Sequence, residues 1–85
     1  DMPKDVAEQT RQSLVNAKAI LEAANLDMSK VVKTTILLTD IDDFNQVNKM
    51  YETFFSKPYP ARSCFAVAAL PKNASVEIEI IALKE

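Results

Sequence analysis

Apolar residues recur every three or four positions in two stretches of the chain, which is the period of a helix with one buried face. The first stretch covers residues 4–24, where Pro3 suits the first turn and Asn25 suits the left-handed conformation that closes a helix. The second opens at Asp40 and reaches Phe55, ahead of Pro58 and Pro60. The buried rows are Val6, Thr10, Leu14, Ala17, Leu21 and Ala24, and then Phe44, Val47, Tyr51, Phe54 and Phe55. The pattern predicts two amphipathic helices.

Three further stretches lack the helical period and are rich in β-branched or alternating residues, which is typical of strands. They cover residues 31–39, 63–70 and 76–83, and residues 71–75 form a turn between the last two. The order helix, strand, helix, strand, strand predicts a single α+β domain over residues 1–85, with two helices on one face of a mixed sheet. In the third strand Glu77 and Glu79 share a face with Ile81 and Leu83, opposite Val76, Ile78 and Ile80. We interpret this partly apolar second face as a subunit contact.

The short turn suggests that the last two strands pair as a hairpin turning near Asn73. Glu77 then lies opposite about Ala69, and its distance from Arg62 along the sheet is roughly 23 Å, at about 3.3 Å per residue. One small ligand cannot touch both side chains at that distance. If both serve one site, they come from different chains, at a symmetric interface such as a three-fold ring.

The composition of the 85-residue chain excludes several kinds of catalytic site, metal site and binding partner. The sequence has no histidine, which removes imidazole acid–base catalysis and the usual zinc sites, and we expect no metal site. Its formal charge is −2 and its basic residues are scattered, so nucleic-acid binding is not expected. A single cysteine forbids an internal disulfide, and no apolar run reaches the roughly 18 residues of a membrane span. These features predict a soluble cytoplasmic protein.

Arg62 and Glu77 are the two charged residues with a candidate chemical role. Arg62 stands where a proline-bordered loop enters a strand, so its guanidinium could hold a carboxylate through two parallel hydrogen bonds. Glu77 could hold a water molecule and carry a proton. The alternatives are a surface salt bridge for Arg62 and a solvated strand glutamate for Glu77, and position alone does not decide between them.

Cys64 and Asn48 are weaker candidates. Cys64 lies two residues after Arg62 on the same side of the strand, where a positive charge favours the thiolate, but a small buried side chain is the preferred interpretation. Asn48 lies at the edge of the second helix, where it could bind a ligand or simply meet solvent. The cluster of Tyr51, Phe54 and Phe55 is interpreted as core rather than as a stacking platform for bases.

Three segments resemble successive parts of the RidA/YjgF family. The run PYPARSCFAVAALPKNASVEIEIIALKE (58–85) carries that family's proline-X-arginine step, small-residue strand, Leu-Pro pair and V-E-I-E strand. The stretch VVKTTILLTDIDDFNQVNKMYETFF (31–55) is similar to the family's strand and second helix, and QSLVNAKAILEAANLDMSKV (12–31) to its first helix. The resemblance spans nearly the whole chain.

The resemblance implies a chorismate-mutase-like α+β fold, a homotrimer with clefts at the subunit boundaries, and no cofactor. It also implies hydrolysis of reactive 2-imino and 2-enamino acids, such as 2-iminobutanoate and 2-iminopropanoate, to 2-oxo acids and ammonia. In this scheme Arg62 binds the substrate carboxylate and Glu77 positions the water. Cys64 and Asn48 line the site.

A holdase role and two further functions stay open beside the deaminase. One is a small-ligand binding or regulatory trimer that holds 2-oxo acids without turnover, and the other is the endoribonuclease or translation inhibitor that some relatives are called. The acidic balance argues against RNA as the ligand. Family chains are about half again as long, so the resemblance also implies that N-terminal strands bearing glycine are missing here. The sequence contains no glycine, which agrees with that interpretation.

Overall fold

The computed structural model describes residues 5–57 and 59–84. Its regular elements are helix α1 (Val6–Ala23), strand β1 (Val31–Leu38), helix α2 (Phe44–Glu52), strand β2 (Ala61–Ala66) and strand β3 (Val76–Ala82). Three short 3-10 turns, Met28–Lys30, Ile41–Asp43 and Pro71–Asn73, connect them. The predicted order of elements is confirmed. Pro3, Lys4 and Pro58, which entered the predicted helix boundaries, lie outside the described residues.

Helix α1 begins and ends on side chains suited to those positions. The carboxylate of Asp5 accepts a hydrogen bond from the Ala7 N–H at 2.9 Å, which caps the first turn. At the other end Asn25 has φ 62°, as predicted, and the Leu26 N–H donates to the Leu21 carbonyl at 2.8 Å. This arrangement is a Schellman motif, with asparagine in the place where glycine is usual. It turns the chain back toward the sheet.

The three strands form one mixed sheet in the order β2-β1-β3. Strand β1 is central: it pairs parallel with β2 and antiparallel with β3. The predicted hairpin between the last two strands is therefore wrong, since β1 lies between them. The physical reason is the crossover, because a strand, a helix and a strand in succession place the two strands side by side and parallel.

Both helices cover one face of this sheet, as predicted. The core between them is apolar, and its fully buried members include Leu14, Ile36, Leu38 and Val47. Thr10, predicted in the buried row, is also fully buried and its hydroxyl donates to the Val6 carbonyl at 2.8 Å. Burial thus follows the periodicity of the sequence.

Helix α2 begins at Phe44, after the 3-10 turn Ile41–Asp43, rather than at Asp40, and strand β2 begins at Ala61 rather than at residue 63. The other ends of these two elements also differ from the prediction. Helix α2 ends at Glu52 rather than at Phe55, and Phe55 is buried in irregular chain beyond it. Strand β2 ends at Ala66 rather than at residue 70. The last bond from this segment to the central strand joins the Val67 N–H to the Leu38 carbonyl, and Leu38 is where β1 stops. The strand ends because its partner ends.

Candidate functional site

Arg62 lies at the start of β2, opposite Thr34 of the central strand. Residues paired across a sheet share a face, and Thr34 is buried on the face covered by the helices, so Arg62 also extends on the helix side. Its guanidinium carbon lies 5.4 Å from the ring centroid of Phe44 and 5.1 Å from that of Tyr51. These distances are those of cation–π contacts.

Asn48 is the third residue of α2 that contacts Arg62, after Phe44 and Tyr51. Its side-chain oxygen accepts a hydrogen bond from Nη1 of Arg62, so the structure brings these two predicted site residues together. Phe44, Asn48 and Tyr51 are spaced four and three residues apart, which places them on one stripe of the helix. The stripe holds the guanidinium through a neutral amide and two rings.

The alternative interpretation of Arg62 as half of a surface salt bridge finds no support in residues 5–57 and 59–84. The salt bridge formed there joins Arg11 to Glu8 at 3.0 Å, and none involves Arg62. The bond to Asn48 uses one of the five N–H donors of a guanidinium. Asn48 is the one protein acceptor for them within that part of the chain, so Arg62 keeps donors for a carboxylate.

Cys64 lies on the same side of β2 as Arg62, opposite the buried Ile36. Burial raises the pKa of the Cys64 thiol, and the positive charge of Arg62 offsets only part of that effect. The alternative interpretation of Cys64 as a thiolate finds no support here, because the desolvation of a charged sulfur outweighs the neighbouring charge. The preferred interpretation, a small neutral side chain, agrees with this environment.

A groove that is open to solvent runs beside Cys64. Its volume is about 470 Å³, and it is lined by Ile41, Asp42, Phe44, Asn45 and Cys64. Phe44 also lies under the Arg62 guanidinium, so the groove and the arginine share one aromatic side chain. A small molecule held by Arg62 would therefore have room beside Cys64.

Glu77 lies on the other face of the sheet. It is opposite Leu37, whose neighbours Ile36 and Leu38 point into the core, so Glu77 is half-buried on the uncovered face, as its alternation predicts. The registers separate the α-carbons of Arg62 and Glu77 by three rows and two strand spacings, or roughly 14 Å. The separation of 23 Å expected from a hairpin is wrong, and the two side chains are kept apart by the sheet itself.

The face that carries Glu77, called the open face from here on, consists of the outward residues of the three strands. Its cross-strand rows are Phe65, Leu37 and Glu77; Ser63, Thr35 and Glu79; and Ala61, Lys33 and Ile81. Phe65 is 56% exposed and Ile81 is 58% exposed. The prediction that this face combines glutamates with exposed apolar side chains is confirmed.

Sequence reasoning missed the part that Phe44 and Tyr51 play. Both were assigned to the buried row of the second helix, and Tyr51, which is 4% exposed, is indeed buried. The available signal was Asn48, a polar residue placed between two aromatic residues on one stripe. It became informative only once β2 was known to lie beside β1, which brings Arg62 under that stripe.

No helix in the described part of the chain is both long and apolar enough to cross a membrane. In the same residues, histidine, cysteine, aspartate and glutamate form no group of three that could hold a metal ion.

The family model described as endoribonuclease L-PSP matches residues 1–84. Among curated proteins, the 2-iminobutanoate/2-iminopropanoate deaminase of Escherichia coli K12 is 52% identical over 99% of this chain and 68% of its own length. The RutC family protein y4sK of Sinorhizobium fredii is 56% identical over 91% of this chain and 61% of its own length. The human 2-iminobutanoate/2-iminopropanoate deaminase is 51% identical over 93% of this chain and 58% of its own length. This chain thus spans about three fifths to two thirds of these relatives.

Solved structures give the same picture. E. coli TdcF with bound serine superimposes with a TM-score of 0.94 at 44% identity, over 100% of this chain and 69% of that one. The YjgF gene product of E. coli gives a TM-score of 0.94 at 50% identity, over 100% of this chain and 69% of that one. The similarity covers all five regular elements.

Proposed function

Since this chain belongs to the endoribonuclease L-PSP (RidA/YjgF) family, we propose that it hydrolyses reactive 2-imino and 2-enamino acids to 2-oxo acids and ammonia. Relatives about half identical over nearly the whole chain are named for this activity on 2-iminobutanoate and 2-iminopropanoate. The observation that carries the proposal is the setting of Arg62. Its guanidinium is oriented by Asn48, Phe44 and Tyr51, which are neutral and leave its charge for a ligand.

Arg62 binds the carboxylate of the substrate in this proposal. A planar guanidinium matches a carboxylate with two parallel hydrogen bonds, and the 2-imino acid carries that carboxylate next to its reactive carbon. Fixing one end of so small a substrate also fixes its C=N group, which brings the reacting atoms into position. The open groove beside Cys64 receives the substrate's short side chain.

Glu77 positions the attacking water. Because Arg62 and Glu77 lie on opposite faces of their own sheet, one site uses Arg62 of one chain and Glu77 of a neighbouring chain. A homotrimer joined through the open face supplies such pairs three times, and it covers the exposed Phe65 and Ile81. The two-chain site was first inferred from a distance of roughly 23 Å in a hairpin that does not form. It now rests on the position of Arg62 and Glu77 on opposite faces of the sheet.

The reaction needs no covalent intermediate. Water adds to the imine carbon while Glu77 accepts one of its protons, and the same carboxyl group then returns that proton to the nitrogen. The addition gives an amino alcohol, whose hydroxyl proton passes to the nitrogen as the C–N bond breaks. Ammonia leaves, and the carbon retains the oxygen as the 2-oxo acid. An enamine takes up a proton on carbon to become the imine before this step. Cys64, whose pKa is raised by burial, lines the pocket as a neutral thiol.

The test is the loss of 2-iminobutanoate, generated in place by an amino-acid oxidase and trapped with semicarbazide. We expect the protein to reduce trapping and Arg62→Ala to lower kcat/KM by roughly 100-fold, the ratio equivalent to about 3 kcal/mol for a lost charged pair. Arg62→Lys retains the charge without the fork and recovers only part of this loss. Glu77→Gln lowers kcat more than it raises KM, since the water is positioned for the chemical step.

Arg11→Ala is the matched control for these variants. Arg11 is the other arginine of the sequence, and it pairs with Glu8 on the outer surface of α1, so its removal leaves turnover unchanged. Light scattering checks that each variant keeps the size of the parent assembly. Equal turnover by the parent protein and Arg62→Ala would contradict the role given to the guanidinium.

A second candidate function is the binding of small carboxylates without turnover. It is favoured by the similar structure of E. coli TdcF, which holds serine, a molecule with a carboxylate and no imine. In this case Arg62 binds 2-oxobutanoate or serine and the assembly acts as a regulatory trimer. Calorimetric binding of 2-oxobutanoate by a protein that leaves semicarbazide trapping unchanged would favour this function over the deaminase.

A further inference from the structure

Tyr51 joins the Arg62 guanidinium to the core of the domain. Its ring lies 5.1 Å from the guanidinium carbon, and its hydroxyl forms a 2.8 Å hydrogen bond with the Thr34 hydroxyl. Tyr51 is 4% exposed and Thr34 is fully buried. We propose that Tyr51, anchored by Thr34, is a positioning residue that sets the substrate affinity of Arg62. This inference rests on the proposed function.

The strand register makes the arrangement a closed loop. Thr34 of β1 is the direct partner of Arg62 in β2, so the backbone of Arg62 is tied to Thr34 through the sheet. The side chain of Thr34 is tied to the Tyr51 hydroxyl, and the Tyr51 ring lies against the guanidinium. Thr34 therefore positions Arg62 at both ends: its backbone pairs with that of Arg62, and its hydroxyl holds the ring that contacts the guanidinium.

The orientation of the Tyr51 ring is fixed from more than one side. The hydroxyl bond to Thr34 restricts its tilt, and the ring also packs against Phe55 with centroids 4.7 Å apart. Phe44 also contacts Arg62, but it is only half-buried and borders the open groove. Tyr51 is thus the more rigid of the two surfaces on which the guanidinium lies.

A rigid surface beneath Arg62 lowers the entropy that ligand binding costs. An arginine side chain that is free in solution must be ordered when it binds a carboxylate, whereas one already held in place loses less freedom. Once the carboxylate is bound, the same two hydrogen bonds hold it in the substrate complex and in the transition state, so the cost of ordering Arg62 falls on the binding step. Loss of this support therefore raises KM and leaves kcat nearly unchanged.

The experiment measures kcat and KM for 2-iminobutanoate in Tyr51→Leu and Tyr51→Phe. Tyr51→Leu removes the ring and raises KM roughly five-fold, the ratio that corresponds to a cation–π contact of about 1 kcal/mol. Tyr51→Phe keeps the ring and retains most of the parent affinity. Thr34→Val releases the hydroxyl while the ring stays, and it raises KM about two-fold, which supplies a second test if Tyr51→Leu does not fold.

Phe54→Leu is the matched control. Phe54 packs against the same core but is not one of the rings over which Arg62 lies, so its truncation lowers Tm and leaves KM at the parent value. A purely structural role for Tyr51 would give the same result: a lower Tm, fewer active molecules and an unchanged KM. That outcome in Tyr51→Leu, with Arg62→Ala impaired, would overturn the inference and leave the proposed function standing.

Failure of the proposed function has a different signature, in which the parent protein leaves trapping unchanged. The affinity for 2-oxobutanoate, measured by calorimetry, then replaces KM. A five-fold weaker Kd in Tyr51→Leu supports the positioning role even without turnover, and an unchanged Kd overturns it.

Discussion

The charge of Arg62 is left free because its partners are neutral. Arg11, the other arginine, pairs with the carboxylate of Glu8 and has its charge balanced within the chain. Arg62 instead meets an amide oxygen and two aromatic rings, which orient a guanidinium without neutralising it. Residue type and position were enough to single out Arg62 and Asn48. They could not distinguish an arginine with unused N–H donors from one already paired with a carboxylate.

Cys64 provides a prediction that depends on pH. Burial raises the pKa of its thiol above the ordinary value of 9.0, so the thiol stays protonated at neutral pH. We expect iodoacetamide to alkylate Cys64 more slowly than the single cysteine of an unstructured peptide, with a rate that rises only at higher pH. Arg62→Ala shifts that rise further upward, because Arg62 lowers the pKa.

The raised pKa of Cys64 also determines how the free energy of unfolding changes with pH. The folded chain holds the Cys64 proton more tightly than the unfolded chain, so the free energy of unfolding falls as pH rises through the thiol range. Cys64→Ser removes this dependence and supplies the control.

The alkylation experiment has its own contradicting outcome. If iodoacetamide modified Cys64 faster than the cysteine of the peptide at neutral pH, the side chain would be a thiolate and not a neutral thiol.

The helices and strands were predictable because buried residues recur every three or four positions in a helix and every second position in a strand. Residues such as Leu14 in α1 and Ile78 in β3 lie on the faces that the spacing indicated. The strand order was missed, since periodicity says which face of a strand is buried and not which strands are neighbours. The better signal was the succession of strand, helix and strand over residues 31–66, which favours a parallel pair.

That succession also positions most of the candidate site. Thr34, Asn48, Tyr51, Arg62 and Cys64 all belong to the unit formed by β1, α2 and β2. The two strands set the spacing between Thr34 and Arg62, and the crossover helix returns over them with Asn48 and Tyr51 facing the guanidinium. Once the strand order is wrong, these contacts cannot be derived. The sequence therefore named Arg62, Cys64 and Asn48 as candidates without their geometry, and it did not point to the contacts of Thr34 and Tyr51.

The end of α1 gives a prediction at the scale of an element. Asn25 has φ 62°, a conformation that a β-branched residue adopts only at a cost of about 1–2 kcal/mol. Asn25→Val is therefore expected to lower the free energy of unfolding by that amount, while Asn25→Gly leaves it equal or raises it slightly. Urea denaturation followed by circular dichroism measures both variants.

Asn16 is the matched control for this substitution. It is exposed within α1 and has a helical neighbour, Gln12, whose side chain donates to it at 2.8 Å. Asn16→Val is expected to change stability by no more than about 0.5 kcal/mol, as is usual at surface positions. Equal losses from the two valine substitutions would show that the left-handed conformation is not the cause.

The whole molecule has two unlike sides. One side of the sheet is covered by α1 and α2 and encloses the apolar core, whereas the open face leaves Phe65 and Ile81 in water. The sequence predicted this contrast from the alternation of β3. The sequence could not predict which residues of β1 and β2 share this face with β3, because that depends on the strand order and on the register of the three strands.

The placement of Arg62 and Glu77 on opposite sides of one sheet has a consequence for mixtures of chains. If each site draws one residue from each of two neighbours, a chain with Arg62→Ala still offers a working Glu77, and a chain with Glu77→Gln still offers a working Arg62. Two inactive proteins therefore complement each other when they are co-expressed in equal amounts. Random assembly restores about one quarter of the sites, because each intact half is present with a probability of about one half. Pairing Arg62→Ala with the double variant Arg62→Ala/Glu77→Gln restores none, and a mixture of the two single variants that stays equally inactive would place both residues in the same chain's site.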